Sequence, residues 1–285
     1  MKLPSRCLYG ARKDFLRGLL GLLVHHALQD QNFPLTERLS PSNNGDRALA
    51  FRSVAEGDAV LTEFAYLFRD ETKQSLIDVD QAVKVSSVEL QSVLSGVPAA
   101  IADELRFQYE AGFSFVYRIF NEMGWHGINL LYSFPPISTE QVLHPEKFLD
   151  LPDPPTRVEL NDLPVLFRSD WREIENNTLG ELMVECLFKE FFSREEAKVV
   201  ATGWDGDRFV AFRRGDSVAF IWFTVWDSPE DAEEFMQKYQ QIRAKKHVPT
   251  QPSDSFVERR GPLVLVLEGL REAQVKQNIG RSGRE

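Results

Sequence analysis

The sequence predicts an α+β protein, in which a helical N-terminal region is followed by an α/β layer built on an antiparallel sheet. Between positions 14 and 132 the apolar residues recur mostly at helical spacing, whereas short apolar runs separated by turn residues follow position 155. At 285 residues the chain is long enough for two domains. The change of period therefore marks the passage from a helical part to a sheet-containing part.

A proline-rich cluster predicts where the two parts meet. Leu151-Pro152-Asp153-Pro154-Pro155 has the composition of a linker. We therefore predict four segments, which are a basic tail at 1–13, a helical region at 14–155, an α+β region at 156–271 and a polar tail at 272–285.

Three long helices are predicted in the helical region. The first spans Asp14 to about Gln31, and apolar side chains nearly surround it, which indicates a central position. The second begins with Asp46 as its cap and continues to about Asp70. The third begins at Pro98, where the missing N–H of proline is harmless, and ends at Gly124. A short helix at 128–132 follows.

Strands and two helices are predicted to alternate in the α+β region. Thr178-Leu179-Gly180-Glu181 has the pattern of a capping box, and Ser228-Pro229 begins a further helix. Tight turns are predicted at Asp205-Gly206 and Gly215-Asp216. The predicted strands lie within Arg157–Phe167, Lys198–Trp204, Phe209–Arg213, Val218–Val225 and Leu263–Leu267.

Charge and cysteine content exclude several classes of protein. The 33 basic and 43 acidic residues give a formal net charge of −10, and so acidic a surface repels the phosphates of nucleic acids. Cys7 and Cys186 lie too far apart in the sequence to suggest a disulfide framework or a cysteine metal site.

The N-terminal apolar run is too short to span a membrane. It extends from Phe15 to Leu28 and is interrupted by Arg17, His25 and His26. No small-x-small cleavage site follows it, so the sequence lacks the pattern of a signal peptide. We expect a soluble protein, and neither the compartment nor the oligomeric state follows from the sequence.

Positions 22 to 33 contain part of a zinc-binding pattern. Active zinc-peptidase helices carry His-Glu-x-x-His, in which two imidazoles lie one turn apart and the Glu serves as general base. If His26 is the second histidine of that pattern, the first metal ligand is replaced by Leu22 and the general base by Leu23. His25 is a poor substitute, because adjacent helix positions point about 100° apart.

Several stretches together resemble a bacterial family of neutral zinc metallopeptidases that is gluzincin-like in layout. The resemblance extends over most of the chain, and the stretches are more specific as a set than any one of them. The stretches are His26–Phe33, Asp46–Ala48 with Val54–Ala59, Tyr109–Gly112, Pro135–Lys147, Gly203–Arg208 and Thr224–Ser228.

The resemblance implies a fold, a cofactor and an activity. The helical region would form the lower subdomain of a zincin-like fold, and the activity would be zinc-dependent hydrolysis of a peptide or protein substrate. Glu56, 30 residues after His26, would be the third metal ligand, and the Tyr109 hydroxyl would lie near the substrate carbonyl. Leu22 and Leu23 depart from the pattern, since one removes a metal ligand and the other the group that activates water.

A third departure concerns the β-sheet layer that active zincins carry before the metal helix. Only about twenty residues precede His26. Three interpretations remain open, namely a start that is placed too late, a decaying gene fragment, or a member that functions without that layer.

Other roles are also possible for each candidate residue. His26 and Glu56 have the alternative of pairing with each other or with other polar groups, and Tyr109 that of packing in the core. For His144 we expect a loop-stabilising hydrogen bond, and for His126 and His247 a place at the surface. Residues 204–207 are acidic enough to suggest calcium but lack further spaced oxygen ligands, so we predict a hairpin turn there.

The most consistent interpretation is a metallopeptidase-like protein that has lost its activity, with zinc bound weakly or not at all. Two alternatives come from other classes. One is a non-catalytic module that binds peptides or proteins in the groove near Tyr109, and the other is a structural remnant.

Overall fold

The computed structural model describes residues 23–33, 35, 39, 43–67, 94, 96–160, 171–246 and 255–269. These residues form helices and a five-stranded antiparallel sheet, which confirms the predicted α+β class. The chain divides into two compact units. The first contains the described residues of Met1–Ser40, Arg47–Ile137 and Gln141–Phe148, and the second those of Pro41–Asp46, Ser138–Glu140 and Leu149–Glu285. The predicted tails at 1–13 and 272–285 lie outside the described residues.

Several helical elements precede the sheet in the described part of the chain. They are α1 at 23–32, α2 Gly45–Leu67, α3 Ala99–Arg106, a π-helical turn Phe107–Ala111, α4 Gly112–Ser133, α5 Thr139–Leu143 and α6 Glu146–Leu149. The part of the first predicted helix that precedes residue 23 lies outside the described residues.

Two predicted helix boundaries need correction. α2 begins at Gly45 rather than after Asp46, and the Asp46 carboxylate accepts hydrogen bonds from the backbone N–H and the hydroxyl of Thr139. Asp46 is therefore bound to a distant turn and does not cap its own helix. At Gly124 (φ 62°, ψ −157°) the helical path is interrupted as predicted, but helical structure continues as far as Ser133.

The second unit is built on one antiparallel sheet with the strand order β1-β2-β3-β5-β4. Its strands are β1 Arg172–Asn177, β2 Trp204–Arg214, β3 Ser217–Trp226, β4 Ser255–Arg260 and β5 Leu263–Glu268. Its long helices are α7 Gly180–Lys189, α8 Arg194–Ala201 and α9 Pro229–Lys246.

Alternation along β3 divides the core of this unit into two layers. Phe220, Trp222 and Trp226 pack with the helices, because their side chains lie on the same face as the apolar side of α9. Ala219 and Ile221 point to the opposite face, as the two-residue period of a strand requires.

Strands and turns of the second unit were predicted with mixed success. The strands at 209–213, 218–225 and 263–267 and the turn at Gly215-Asp216 are confirmed. The strand predicted at Lys198–Trp204 is wrong, because Ser193 and Glu196 form a capping box that starts α8. Residues 157–160 are not extended in a strand, and positions 161–167 of that prediction lie outside the described residues.

The turn predicted at Asp205-Gly206 is also wrong. Both residues belong to β2, and the register with β3 shifts between Trp204 and Gly206, which indicates a bulge. Asp207, two residues from Asp205, turns inward at this point and its carboxylate accepts hydrogen bonds from the backbone N–H groups of Leu179 and Gly180. It thus takes the role at the start of α7 that the sequence assigned to Thr178.

The start of the helix after Ser228 follows the prediction. The Ser228 hydroxyl accepts a hydrogen bond from the backbone N–H of Asp231 at 3.2 Å. No helix in the described part of the chain is both long enough and apolar enough to cross a bilayer.

Candidate functional site

The polar side of α1 faces α2 and α4 within the first unit. Gln29 is buried, and His25 and His26 are half-buried beside it. Opposite them on α2 lie Glu56 and Asp58. The candidate site is therefore a set of polar side chains held between helices, and it includes two residues that the sequence marked.

Asp58 is the centre of a buried hydrogen-bond network. Its Oδ2 atom accepts hydrogen bonds from the Tyr132 hydroxyl at 2.6 Å, from Gln29 Nε2 at 3.0 Å and from His25 Nε2 at 3.0 Å. Burial by itself would raise the pKa of Asp58, but the hydrogen bonds from His25, Tyr132 and Gln29 outweigh it and lower the pKa. The side chain is thus held as a carboxylate although it is only 7% exposed.

Gln29 fixes the tautomer of His26. The amide nitrogen of Gln29 donates to the Ala55 carbonyl and to the Asp58 carboxylate, so its oxygen must be the atom that lies 2.8 Å from His26 Nδ1. Because an amide oxygen only accepts, His26 Nδ1 carries a proton. Its Nε2 atom then points at Glu56 Oε2, 3.4 Å away.

His26 and Glu56 form an ion pair when the imidazole is protonated. The pairing with Glu56 raises the pKa of His26, and the hydrogen bond with Gln29 adds to this effect, while burial opposes it. The folded protein therefore retains the proton on His26 to a higher pH than a free imidazole would, and the pair joins α1 to α2.

Tyr109 lies on the other side of Glu56. Burial raises the pKa of the Tyr109 hydroxyl, and the charge of Glu56 and a hydrogen bond with it raise the pKa further. Tyr109 belongs to the π-helical turn Phe107–Ala111, a geometry that is rare and frequently found at functional sites. The phenol is thus a neutral group beside the carboxylate.

Two glycines set the distance between the helices that carry these groups. A Cβ atom on Gly57 would collide with the backbone carbonyl of Gly112 and come within 2.9 Å of Phe113 N. A Cβ atom on Gly112 would collide with the carbonyl oxygen of Ser53. Since Gly57 lies between Glu56 and Asp58 in the chain, this close approach holds the part of α2 that carries both carboxylates against the start of α4.

The sequence thus identified His26, Glu56 and Tyr109, and the structure brings all three together. Leu23, at the position of the general base, is 61% exposed, and Leu22 lies outside the described residues. His25 Nε2 binds the Asp58 carboxylate at 3.0 Å.

Asp58, Gln29 and Tyr132 were missed by the sequence analysis. A signal for Asp58 was present, because it lies on the same apolar stripe of α2 as Val54, Ala55 and Leu61, where an unpaired carboxylate is costly.

The described residues do not fit a catalytic zinc site. Such a site takes three protein ligands, and the described part of the chain offers His26 Nε2 and Glu56 as a pair. Among the described residues, the group that brings at least three suitable ligand atoms within 4.8 Å of one another consists of Glu140, Asp153 and Asp227. It belongs to the second unit and presents carboxylate oxygens, which suit calcium or magnesium better than zinc.

The remaining candidate histidines have simple surroundings. His144 Nδ1 lies 3.7 Å from Glu146 Oε1, within its own loop. His126 is exposed, as expected, and His247 lies outside the described residues.

Two of the buried carboxyl groups of the second unit, Asp46 and Asp207, have raised pKa values. Burial raises the pKa of Asp46 to about 8, although two hydrogen bonds from Thr139 oppose the shift. Burial also raises the pKa of Asp207 against the hydrogen bonds from Leu179, Gly180 and the Trp204 indole. Both groups have structural partners that account for their burial, since one holds the Thr139 turn and the other the start of α7.

Residues 167–277 match one family model. Its description is a domain of unknown function (DUF8575), and the matched range includes the five described strands. Comparisons with curated proteins and with solved structures give no match.

Proposed function

We propose that this chain is a metallopeptidase-like protein without hydrolytic activity. The observation that carries the proposal is the 3.4 Å pairing of His26 Nε2 with Glu56 Oε2, beside a general-base position that is occupied by Leu23. In an active enzyme both atoms would bind the metal, whereas here they neutralise each other. We infer that the pair now serves to hold α1 on α2.

The proposed loss of activity follows from the chemistry of water activation. A catalytic zinc needs three protein ligands and an open fourth position, where it lowers the pKa of the bound water, and a nearby base that accepts the proton. The absent base alone accounts for a factor of about 100 to 10,000 in rate. Leucine offers neither a ligand atom nor a base at the two positions.

Metal content and proteolysis test this proposal. We expect the native chain to carry no stoichiometric zinc after purification with added zinc and to leave casein uncut. A Leu22→His, Leu23→Glu variant should bind zinc, because His26 Nε2 and Glu56 are already adjacent. Elemental mass spectrometry measures the zinc, and a Glu56→Gln substitution in that variant should abolish binding and serves as control.

Two outcomes would contradict the proposal. Chelator-sensitive cleavage of casein by the native chain would show an active peptidase. If zinc binds to neither the native chain nor the variant, His26 and Glu56 are not the remaining part of a metal site.

The π-helical turn around Tyr109 favours a second candidate function, which is binding of peptides without cleavage. A half-buried phenol, whose O–H is donated to Glu56, offers its oxygen as a hydrogen-bond acceptor for a peptide N–H. We expect saturable binding of fluorescein-labelled casein peptides, unaffected by chelator and about tenfold weaker in Tyr109→Phe. Tyr117→Phe on α4 is the matched control. Equal affinity of the native protein and Tyr109→Phe would reject this candidate.

A further inference from the structure

The helix α1 is oriented with its apolar side outward. Leu23, Val24 and Leu28 are 61%, 52% and 51% exposed, and Ala27 is exposed between them. Because successive helix positions are about 100° apart, these four residues lie on one side of the helix. We refer to them as the outward face of α1. Helices of globular proteins usually bury such a face.

Hydrogen bonds prevent α1 from turning this face inward. His25 and Gln29 both bind Asp58, and Gln29 also binds the Ala55 carbonyl and the Tyr132 hydroxyl. Rotation of the helix would remove the His25 and Gln29 donors from the buried Asp58 carboxylate, which is costly. The apolar residues therefore remain available to a partner outside the first unit.

The sequence that leads into α1 carries the charge opposite to that of the whole chain. The first 22 residues contain five basic side chains and one acidic side chain, whereas the chain has a net charge of −10. The basic residues are Lys2, Arg6, Arg12, Lys13 and Arg17. A partner of this region is thus expected to be both anionic and apolar.

We propose that the outward face of α1 binds the surface of anionic lipid bilayers. Basic residues next to an exposed helical apolar face are typical of segments that lie in the interface between headgroups and acyl chains. The attraction acts within about 10 Å at moderate salt, so the local positive charge matters more than the net charge. Pairing with a second copy is less favourable, because both copies carry the same basic residues before α1 and so offer each other no complementary charge there.

Flotation with lipid vesicles tests the proposal on the full chain. We expect binding to vesicles of phosphatidylcholine mixed with phosphatidylglycerol, at least about tenfold weaker binding to pure phosphatidylcholine, and release at high salt. Val24→Glu with Leu28→Glu should weaken binding by at least about tenfold. Arg12→Gln with Lys13→Gln and Arg17→Gln should remove the preference for phosphatidylglycerol.

A matched control comes from the second unit. Val199 and Val218 are 57% and 47% exposed, so Val199→Glu with Val218→Glu makes the same change of charge without touching α1. This control should bind vesicles as the native chain does. The proposal would be overturned if the Val24→Glu, Leu28→Glu variant and the Val199→Glu, Val218→Glu control lost vesicle binding equally. It would also be overturned if the native chain failed to float with phosphatidylglycerol vesicles. Light scattering of the native chain and of the Val24→Glu, Leu28→Glu variant adds a further outcome. If the native chain is a dimer and the variant is a monomer, the outward face of α1 serves self-association and the proposal is overturned.

Discussion

Asp58→Ala is expected to lower the free energy of unfolding by about 3 to 5 kcal/mol. The substitution removes the acceptor of three hydrogen bonds, from Tyr132, Gln29 and His25. The Tyr132 hydroxyl and the His25 N–H would remain in the interior without this carboxylate. Urea unfolding followed by circular dichroism measures the loss.

The effect of Asp58→Ala should depend on pH in a defined direction. The pKa of Asp58 is lowered in the folded protein from its usual value of 3.8, so its contribution is complete above that value. The contribution is lost as the pH falls through the lower folded-state pKa. The difference between the native chain and the variant should therefore be constant near neutral pH and shrink in acid.

An exposed carboxylate on α4 provides the control. Glu122 pairs with Arg118 at 3.2 Å, and both side chains are well exposed, so Glu122→Ala should cost at most about 1 kcal/mol. If Asp58→Ala costs no more than Glu122→Ala, the buried network does not stabilise the first unit.

The parts of the fold that the sequence predicted are those governed by short-range patterns. The strand at 218–225 alternates apolar side chains toward two layers, and the turn at Gly215-Asp216 has the chemistry of a tight turn. The helix α7 begins where it was predicted, but the residue that caps it was assigned incorrectly, for the opposite reason. Its N–H groups are bound by Asp207, 27 residues from Gly180, and no local pattern identifies so distant a cap.

In the candidate site, too, the sequence predicted individual residues but not the contacts between distant parts of the chain. His26, Glu56 and Tyr109 were found by resemblance to a known pattern. The role of the pair depends on Gln29, which forces the proton onto His26 Nδ1 and turns Nε2 toward Glu56. That orientation of the imidazole follows from the packing of α1 on α2 and cannot be predicted from helical periodicity alone.

The central position predicted for the first helix is wrong for its described part, α1. The sequence shows an apolar helix, and burial on all sides was the simplest interpretation. The hydrogen bonds of Gln29 and His25 to Asp58 instead assign the inner side to polar groups. Leu23, Val24 and Leu28 consequently lie outside.

Gly112→Ala is expected to lower the free energy of unfolding by about 2 kcal/mol or more. A methyl group at this position meets the carbonyl oxygen of Ser53, and its carbonyl carbon lies within 2.9 Å, so α2 and α4 must separate. Alanine favours a helix over glycine by about 1 kcal/mol, and this gain offsets only part of the cost. Urea unfolding measures the result, with Ser114→Ala on the exposed side of α4 as control.

A double variant distinguishes this helix contact from a general loss of packing. Gly57→Ala disturbs the same contact between α2 and α4, since its methyl group would collide with the Gly112 carbonyl. Once either substitution has separated the helices, the second has less contact left to break. The double variant should therefore lose less free energy of unfolding than the sum of the two single losses, by about 0.5 kcal/mol or more. The losses at independent sites would simply add. Strict additivity would mean that the two glycines do not share one contact, and that the spacing of Glu56, Asp58 and Tyr109 does not depend on it.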